Sequence, residues 1–236
     1  MVNTTVWFGT GASVFFLAVV LFCWFAATRG DIRSPFYYVP PLLTAVAGVA
    51  YVGMTAVTLD ALPVPVGVEA LRFADWAIST PLITYYLALL ADTDRSTRAV
   101  AVATNVAMIG LGYGYVALSG SLRWVAFAAS MALFLGLVYL FARTFQTALV
   151  GSSRTSRSLF VSLRDLTIAT WLLYPVAYLL GPVGLGVVSP VDIDFVVVVL
   201  DVTAKVGLMT IVLLRQYELT TFRSRDAPSA AEPDGA

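Results

Sequence analysis

Seven apolar segments, separated by short polar connections, dominate the pattern of hydrophobic and polar positions along the chain. Each segment is about 20 residues long, which is enough for a helix to cross the hydrocarbon core of a bilayer. The pattern therefore predicts an all-α integral membrane protein, in which seven transmembrane helices form one bundle and consecutive helices are neighbours. The predicted spans cover residues 4–27, 38–59, 71–90, 99–118, 122–142, 159–180 and 190–217.

The composition agrees with this prediction and excludes several other classes of protein. The chain is 59% hydrophobic and 12% charged, which is too apolar for a soluble domain of this size. Its formal net charge is zero, so nothing indicates a nucleic-acid partner. Histidine is absent and Cys23 is the single cysteine, so neither a metal site nor an internal disulfide is expected. We expect a multi-pass protein of the plasma membrane with lipid around it.

The arginines are distributed unevenly between the connections, and this predicts the orientation of the chain. Cytoplasmic connections of membrane proteins carry an excess of basic residues. Basic residues follow spans one, three, five and seven, whereas the opposite connections contain only Arg123 beside several acids. The N-terminus is therefore expected outside and the C-terminus in the cytoplasm. The arginines that carry this argument are Arg29, Arg33, Arg95, Arg98, Arg143, Arg154, Arg157, Arg215, Arg223 and Arg225.

The membrane domain is expected to cover residues 1–223. Residues 224–236 are rich in Ala, Pro, Ser and Asp, which predicts a disordered cytoplasmic tail. In span four, Gly110 and Gly114 have the GxxxG spacing that lets two helices approach closely. This spacing serves either packing within the chain or a homo-oligomer, and the sequence leaves both open.

Two charges interrupt the last apolar segment, and they are candidates for chemistry. Asp201 and Lys205 are four residues apart, so a helix places them on one face. Lys205 is also the only lysine in the protein. A charge at membrane depth is costly and usually functional. One interpretation is a buried ion pair that only joins helices; the other is a reactive amine that condenses with an aldehyde to form a Schiff base.

A second pair of charges lies in span three. Arg72 and Asp75 are three residues apart and share a helical face. Two cations and two carboxylates would make a neutral group, which is the least costly way to bury four charges. We therefore expect all four to converge, with Arg72 keeping both acids ionised. Ser79, one turn after Asp75, is positioned to hydrogen-bond it.

Aromatic residues form a stripe in span six. Trp171, Tyr174, Pro175 and Tyr178 recur at helical spacing, and the internal proline predicts a kink and a hinge. Such a stripe is either ordinary bundle core or the wall of a site for a long apolar ligand.

Taken together, these residues resemble the microbial rhodopsins, in particular the archaeal group. The resemblance runs in order through all seven segments. It implies that Lys205 binds all-trans retinal as a Schiff base, that Asp75 is the primary counterion and proton acceptor, and that Asp201 is the second counterion. The matching pieces are Arg72-Phe-Ala-Asp75-Trp76, Ser79-Thr80-Pro81, Trp171-x-x-Tyr174-Pro175 and Leu200-Asp201-x-x-x-Lys205-Val-Gly.

The same resemblance implies the surroundings of the chromophore. Arg72 would connect the Schiff-base region to the outside, and Tyr51 and Tyr174 would hydrogen-bond Asp201. The residues implied to line the retinal pocket are Trp76, Thr80, Met108, Phe127, Ser130, Phe134, Trp171 and Tyr178.

The residue at position 86 separates a sensor from a proton pump. An outward proton pump of this family has a carboxylate there, which reprotonates the Schiff base. Tyr86 lies eleven residues after Asp75, about 16 Å further along the same helical face. Tyrosine, with an ordinary pKa near 10, is a poor proton donor at neutral pH. A slow, sensory-type photocycle is therefore expected, and Asp75 excludes an inward chloride pump.

Within the family the chain resembles sensory rhodopsin II, a photoreceptor rather than an enzyme, which signals in phototaxis. Such receptors act through a two-helix membrane transducer at helices six and seven. Three positions depart from that group. Ala204 stands where the group has a threonine, and Val199 stands where it has a tyrosine that faces the transducer. Tyr178 stands where it has a tryptophan. Ala204, Met108 and Ser130 are more pump-like, so a middle rhodopsin, intermediate between sensor and pump, also matches. The alternatives are a weak outward proton pump and a transporter or receptor that does not respond to light.

Overall fold

The structure is a computed structural model of the chain, and it describes residues 3–29, 33–62, 65–149 and 154–215. These residues form seven helices long and apolar enough to span a membrane, with no strand among them. The predicted all-α seven-span fold is therefore confirmed. The helices are α1 (Thr4–Arg29), α2 (Pro35–Thr58), α3 (Val68–Leu90), α4 (Arg95–Ala117), α5 (Gly120–Ala148), α6 (Arg154–Leu180) and α7 (Pro190–Leu214).

Several helices begin a few residues earlier than the hydropathy pattern predicts, because polar first turns are helical too. Pro35 occupies the first turn of α2 after Ser34. The carboxylate of Asp94 accepts a hydrogen bond from the backbone N–H of Thr97 and caps α4. Hydrogen bonds from the side chain and backbone of Thr97 hold the pKa of Asp94 below its usual range. Capping residues of this kind satisfy backbone N–H groups that have no partner within the helix.

Consecutive helices pack against each other from α1 to α5, and α7 closes the bundle against α1 and α6. Helix α3 is central: 67% of its most apolar segment is buried, against 22% for α4 and for α5. Arg72 and Asp75 on α3 therefore point into protein, whereas α4 and α5 present most of their surface to lipid.

Two helices contain a π-helical turn, which inserts an extra residue and rotates the faces on either side of it. One lies at Leu140–Thr144 in α5 and the other at Thr203–Gly207 in α7. Helix α6 contains the predicted internal proline, Pro175. Since the second π turn contains Lys205, the backbone of α7 is irregular at the reactive candidate.

The GxxxG pair of α4 is used within the chain at one of its two positions. A β-carbon at Gly114 would lie 3.4 Å from that of Ala126 on α5, whereas no neighbouring atom lies within 4 Å of a β-carbon at Gly110. Close approach at Gly114 is therefore packing of α4 against α5. The predicted tail and the end of the seventh predicted span lie outside the described residues.

Candidate functional site

Lys205 is buried at the centre of the bundle, with 1% of its surface exposed. Its Nζ donates a short hydrogen bond to Oδ2 of Asp75 on α3. Oδ1 of Asp201, one turn earlier on α7, lies 3.3 Å from the same nitrogen. The structure thus brings together three of the four predicted charges, and the amine lies between two carboxylates that are themselves buried.

Asp201 is held by donors from three helices as well as by Lys205. The hydroxyl of Tyr51 on α2 donates to Oδ2 at 2.7 Å, and that of Tyr174 on α6 donates to Oδ1 at 2.7 Å. The indole N–H of Trp76 on α3 donates to Oδ1 at 2.9 Å. Both oxygens of this buried carboxylate therefore have hydrogen-bond partners. The contact from Trp76 was not predicted, because residue spacing gives no information about which helix lies opposite.

Replacing Tyr51 with phenylalanine is expected to destabilise the fold by about 1.5–3 kcal/mol, the range for a hydrogen bond to a charged group. The ring, packed against Phe15 at 5.1 Å, would remain, so the loss would be that of the hydroxyl alone. The midpoint of thermal unfolding, followed by circular dichroism, should fall by several degrees. Tyr139→Phe, on a ring that is 64% exposed, is the control and should leave it unchanged. Equal midpoints for Tyr51→Phe and the parent chain would contradict the prediction.

Ser79 and Asp75 lie close enough to influence each other, as predicted, but no hydrogen bond of ordinary geometry joins them. Both side chains are buried, but Oγ of Ser79 and Oδ1 of Asp75 have no hydrogen-bond partner in the described part of the chain. One turn of helix places the two residues on the same face, yet it does not fix the rotamers that would join them. Polar atoms buried in this way are available to a bound group or to water.

The prediction that Arg72 joins this cluster is wrong. Its guanidinium pairs with Oε1 of Glu69 at 2.5 Å and with Oδ1 of Asp194 at 2.7 Å, and its Nη1 donates to the hydroxyl of Tyr178 at 3.3 Å. Side chains on a helix tilt toward its N-terminus, so Arg72 reaches back by one turn to Glu69, away from Asp75.

The buried charges therefore form two groups instead of one neutral group. The inner group contains Lys205 with Asp75 and Asp201; the outer group contains Arg72 with Glu69 and Asp194. Each group holds one cation and two carboxylates. Neither Glu69 nor Asp194 was predicted to lie among the buried charges. A signal was present nevertheless, because residues 194, 201 and 205 follow one another at intervals of seven and four and so share a face of α7.

An apolar cavity adjoins the inner group. It contains about 700 Å³ of empty space, including its open mouth. Two of its lining residues, Trp76 and Tyr174, also hydrogen-bond Asp201. The wall between the cavity and the inner group is therefore a single layer of side chains. All eight residues that the resemblance implies for the pocket line this cavity, together with Phe73, Ile109, Gly112, Tyr115, Met131, Tyr174 and Pro175.

Polar side chains in the cavity wall are bonded to other protein groups. The Thr80 hydroxyl donates to the side-chain oxygen of Asn105 at 2.7 Å, and that of Ser130 donates to the backbone carbonyl of Met108 at 2.9 Å. The wall is therefore apolar and aromatic. Such a cavity, with a buried amine and two carboxylates beside it, fits a long apolar aldehyde. No group of residues that could hold a metal ion occurs in the ranges that the structure describes.

Tyr86 lies on the opposite side of Asp75 from Arg72, toward the C-terminal end of α3. It is fully buried, its hydroxyl is 3.5 Å from the backbone carbonyl of Phe36, and its ring meets that of Phe36 edge-on. Ala204 is buried, whereas Val199 is 46% exposed on the outside of α7. The position predicted to face a transducer is thus on the surface of the bundle.

The fold and site define a class: seven-helix membrane proteins in which a lysine of the last helix, paired with carboxylates, adjoins an aromatic cavity. The chain matches the family of Bacteriorhodopsin-like proteins over residues 2–218, and it belongs to that family. Homologues in this family bind retinal. Family and fold together make the chain a multi-pass protein of the plasma membrane.

Relatives of known type agree with this assignment. The chain is 55% identical over 222 residues to sensory rhodopsin III of Haloarcula marismortui, covering 94% of this chain and 96% of that protein. It is 33% identical over 214 residues to sensory rhodopsin-2 of Natronomonas pharaonis, covering 90% and 89%. Among solved structures, thermophilic rhodopsin from Rubrobacter xylanophilus superposes with a TM-score of 0.84 at 27% identity, covering 94% of this chain and 99% of that one.

Proposed function

We propose that this protein is a retinal-binding photoreceptor of the sensory type, and that it is not an enzyme. One observation carries the proposal: the only lysine of the chain is buried between two carboxylates, beside an apolar aromatic cavity. A structural ion pair alone would not require the cavity, and the chain is similar to sensory rhodopsin III and to sensory rhodopsin-2.

The residues of the inner group have distinct roles in this proposal. Lys205 is the attachment point for the aldehyde of retinal. When bound, retinal supplies absorption of visible light and a change of shape on isomerisation. Asp75 is the counterion that contacts Nζ of Lys205, and its Oδ2 accepts the proton that this nitrogen releases. Asp201, which accepts hydrogen bonds from Tyr51, Trp76 and Tyr174, is the second counterion.

The other implied roles rest on the placement of the side chains. The eight pocket residues exclude water from the cavity and orient its occupant. Through its contact with Tyr178, Arg72 connects the pocket to the end of the bundle at which the chain's N-terminus lies. We place that end outside the cell. Ser79 offers a free hydroxyl near Asp75 for water or for a transient bond. Pro175, which lines the cavity in α6, is the hinge at which that helix bends.

The experiment that tests the proposal is reconstitution of the purified chain with all-trans retinal. A visible absorption band should form in proportion to retinal added, up to one retinal per chain. After reduction with borohydride, mass spectrometry should locate the added mass on the peptide that contains Lys205. Chain that stays colourless with excess retinal would reject the proposal and favour a transporter or a receptor that does not respond to light.

The choice of sensor over pump rests on Tyr86. A buried tyrosine in place of a carboxylate leaves the cytoplasmic side of the pocket without a ready proton donor, so the dark state should return slowly. Long-lived intermediates suit a signalling protein. Pump-like residues at Ala204, Met108 and Ser130 keep a middle rhodopsin, or a weak outward pump, as the second candidate.

Sealed vesicles that contain the chain are expected to show no sustained change in external pH under steady light. The slow supply of protons from the Tyr86 side limits each cycle, so net transport per unit time is small. A pH electrode in a weakly buffered suspension makes the measurement. Azide, a small proton donor, is the control, and it should raise transport if the supply of protons is limiting. Sustained proton transport that is as large without azide as with it would favour the pump.

Partners follow from the same proposal. We propose membrane lipids around the bundle and a two-helix transducer against α6 and α7, where Val199 is exposed. Valine in place of tyrosine there, and Ala204 beneath it, imply a contact that differs from that of sensory rhodopsin II. Gly110, which is open, allows a homo-oligomer. The membrane domain of residues 1–223 and the cytoplasmic tail of residues 224–236 complete the proposed organisation.

A further inference from the structure

Tyr178 separates two cavities. Its ring lines the inner cavity beside Lys205 and Asp201, and it also lines a second cavity at the amino-terminal end of the bundle. The second cavity encloses about 650 Å³ of empty space including its mouth, and its wall includes the carboxylates Glu69 and Asp194. Tyr178 is the one described residue common to both walls. The position of this ring therefore decides whether the two spaces are connected.

The hydroxyl of Tyr178 is held from the outer side. It donates to Oε2 of Glu69 at 2.6 Å and accepts from Nη1 of Arg72 at 3.3 Å. Arg72 is itself fixed by Oε1 of Glu69 and by Asp194. Glu69 thus contacts both the ring's hydroxyl and the guanidinium beside it. Its side chain is 36% exposed, so it is the member of the outer group that is most accessible to the medium.

The ring of Tyr178 is packed on the inner side. It meets the rings of Phe73 and Trp76 edge-on, with 5.9 Å between centroids in each case. The indole N–H of Trp76 donates to Asp201, which contacts Lys205. These contacts are made by the ring and not by the hydroxyl. The hydrogen bonds to Glu69 and Arg72 can therefore be removed while the packing of the ring is kept.

We propose that Tyr178 is a partition between the chromophore pocket and the outer cavity, and that Glu69 holds the partition closed. Small polar molecules from the amino-terminal side then reach Lys205 only when the hydrogen bond between Tyr178 and Glu69 breaks. Tyr178 and Glu69 are positioning residues: neither contacts Nζ of Lys205 in the structure, and both act by excluding solvent. The inference rests on the proposed function, since it takes the inner cavity as the site of retinal.

The first test is bleaching of the reconstituted pigment by hydroxylamine in the dark, followed as loss of visible absorbance. Tyr178→Phe removes the hydroxyl and should raise the rate roughly tenfold or more, the effect of losing a hydrogen bond to a charged group. Glu69→Gln leaves only a neutral amide oxygen to accept from Tyr178 and removes the charge that pairs with Arg72, so it should raise the rate as well. The double variant should be no faster than Tyr178→Phe alone, because the bond that Glu69→Gln weakens is already absent once the hydroxyl is gone.

Two control variants separate the hydrogen bond from other causes. Asp192→Asn removes a carboxylate from the same end of the bundle, where its partner is Ser189, and should bleach at the parent rate. Tyr113→Phe removes a tyrosine hydroxyl from a ring that is 41% exposed and lines neither cavity, and it should also bleach at the parent rate. The proposal is overturned if Tyr178→Phe bleaches at the parent rate, if Asp192→Asn equals Glu69→Gln, or if the double variant shows the product of the single effects.

A second readout needs no retinal. Because Lys205 is the only lysine, reductive methylation of the full chain by formaldehyde and cyanoborohydride, read on the Lys205 peptide, reports access to its amine. Tyr178→Phe and Glu69→Gln should be methylated faster than the parent and both controls by a similar factor. Equal rates would overturn the partition. If no variant forms a pigment but methylation follows this order, the proposed function fails and the partition stands.

Discussion

Replacing Lys205 with alanine is expected to abolish the visible band that the parent chain forms with all-trans retinal. The chain contains no second lysine, and arginine does not condense with an aldehyde because it stays protonated. The effect should therefore be complete. Absorbance between the near ultraviolet and the red, recorded after reconstitution at equal protein concentration, makes the measurement.

The same substitution should also weaken the fold. Asp75 and Asp201 would be left buried without their cation, and removal of one partner of a buried ion pair costs about 3–5 kcal/mol unless a proton is taken up. Lys205→Arg is the matched control, since it keeps a positive charge between the two acids while removing the reactive amine. It should be colourless like Lys205→Ala but more stable to heating. A visible band in either variant would contradict the assignment of Lys205.

The fold was largely predictable from the sequence because lipid imposes one strong condition on it. Only apolar segments of about 20 residues cross a bilayer as helices, so hydropathy alone located all seven spans. Most errors lie at the helix starts, and α5 also continues to Ala148, beyond its predicted end at residue 142. Polar first turns such as the one that Asp94 caps, and the turn that Pro35 begins, extend beyond the apolar segments, so hydropathy does not detect them.

The site was predictable within single helices but not between them. Helical spacing correctly placed Lys205 one turn from Asp201. It did not place Arg72, because a long side chain can extend by more than a turn and its direction depends on the helix polarity. Along the sequence, Glu69 and Asp75 are equally close to Arg72, since each is three residues away from it. The tilt of side chains toward the helix N-terminus selects Glu69.

Contacts between helices required information beyond spacing. The donors around Asp201 come from positions 51, 76 and 174, which no local pattern connects. Tyr51 and Tyr174 were expected only through the resemblance to the microbial rhodopsins. Trp76 was expected there as a pocket residue, and its bond to Asp201 emerged from the structure. A tyrosine at position 178 joins the pocket to Glu69, a contact that neither spacing nor resemblance predicted.

Replacing Tyr86 with aspartate is expected to shorten the recovery of the dark state after a flash by about 10²–10⁴-fold, the usual contribution of a positioned general acid. Tyr86 is fully buried about three helical turns from Asp75, with its hydroxyl near a single backbone carbonyl. Burial favours the neutral form of a carboxylic acid, so an aspartate there would hold a proton ready for transfer toward Lys205. Flash photolysis at neutral pH gives the recovery time.

Tyr86→Asn is the matched control, because asparagine has nearly the shape of aspartate but no acidic proton. Tyr86→Asp and Tyr86→Asn both lose the tyrosine ring, but the recovery of Tyr86→Asn should stay close to that of the parent chain. The pH dependence separates the two mechanisms further. Recovery of the parent should slow as the pH rises, since its proton comes from the medium, while recovery of Tyr86→Asp should change little near neutrality because the donor lies within the protein. Equal acceleration by asparagine and aspartate would mean that water entering the space left by the ring, and not proton donation, limits the cycle.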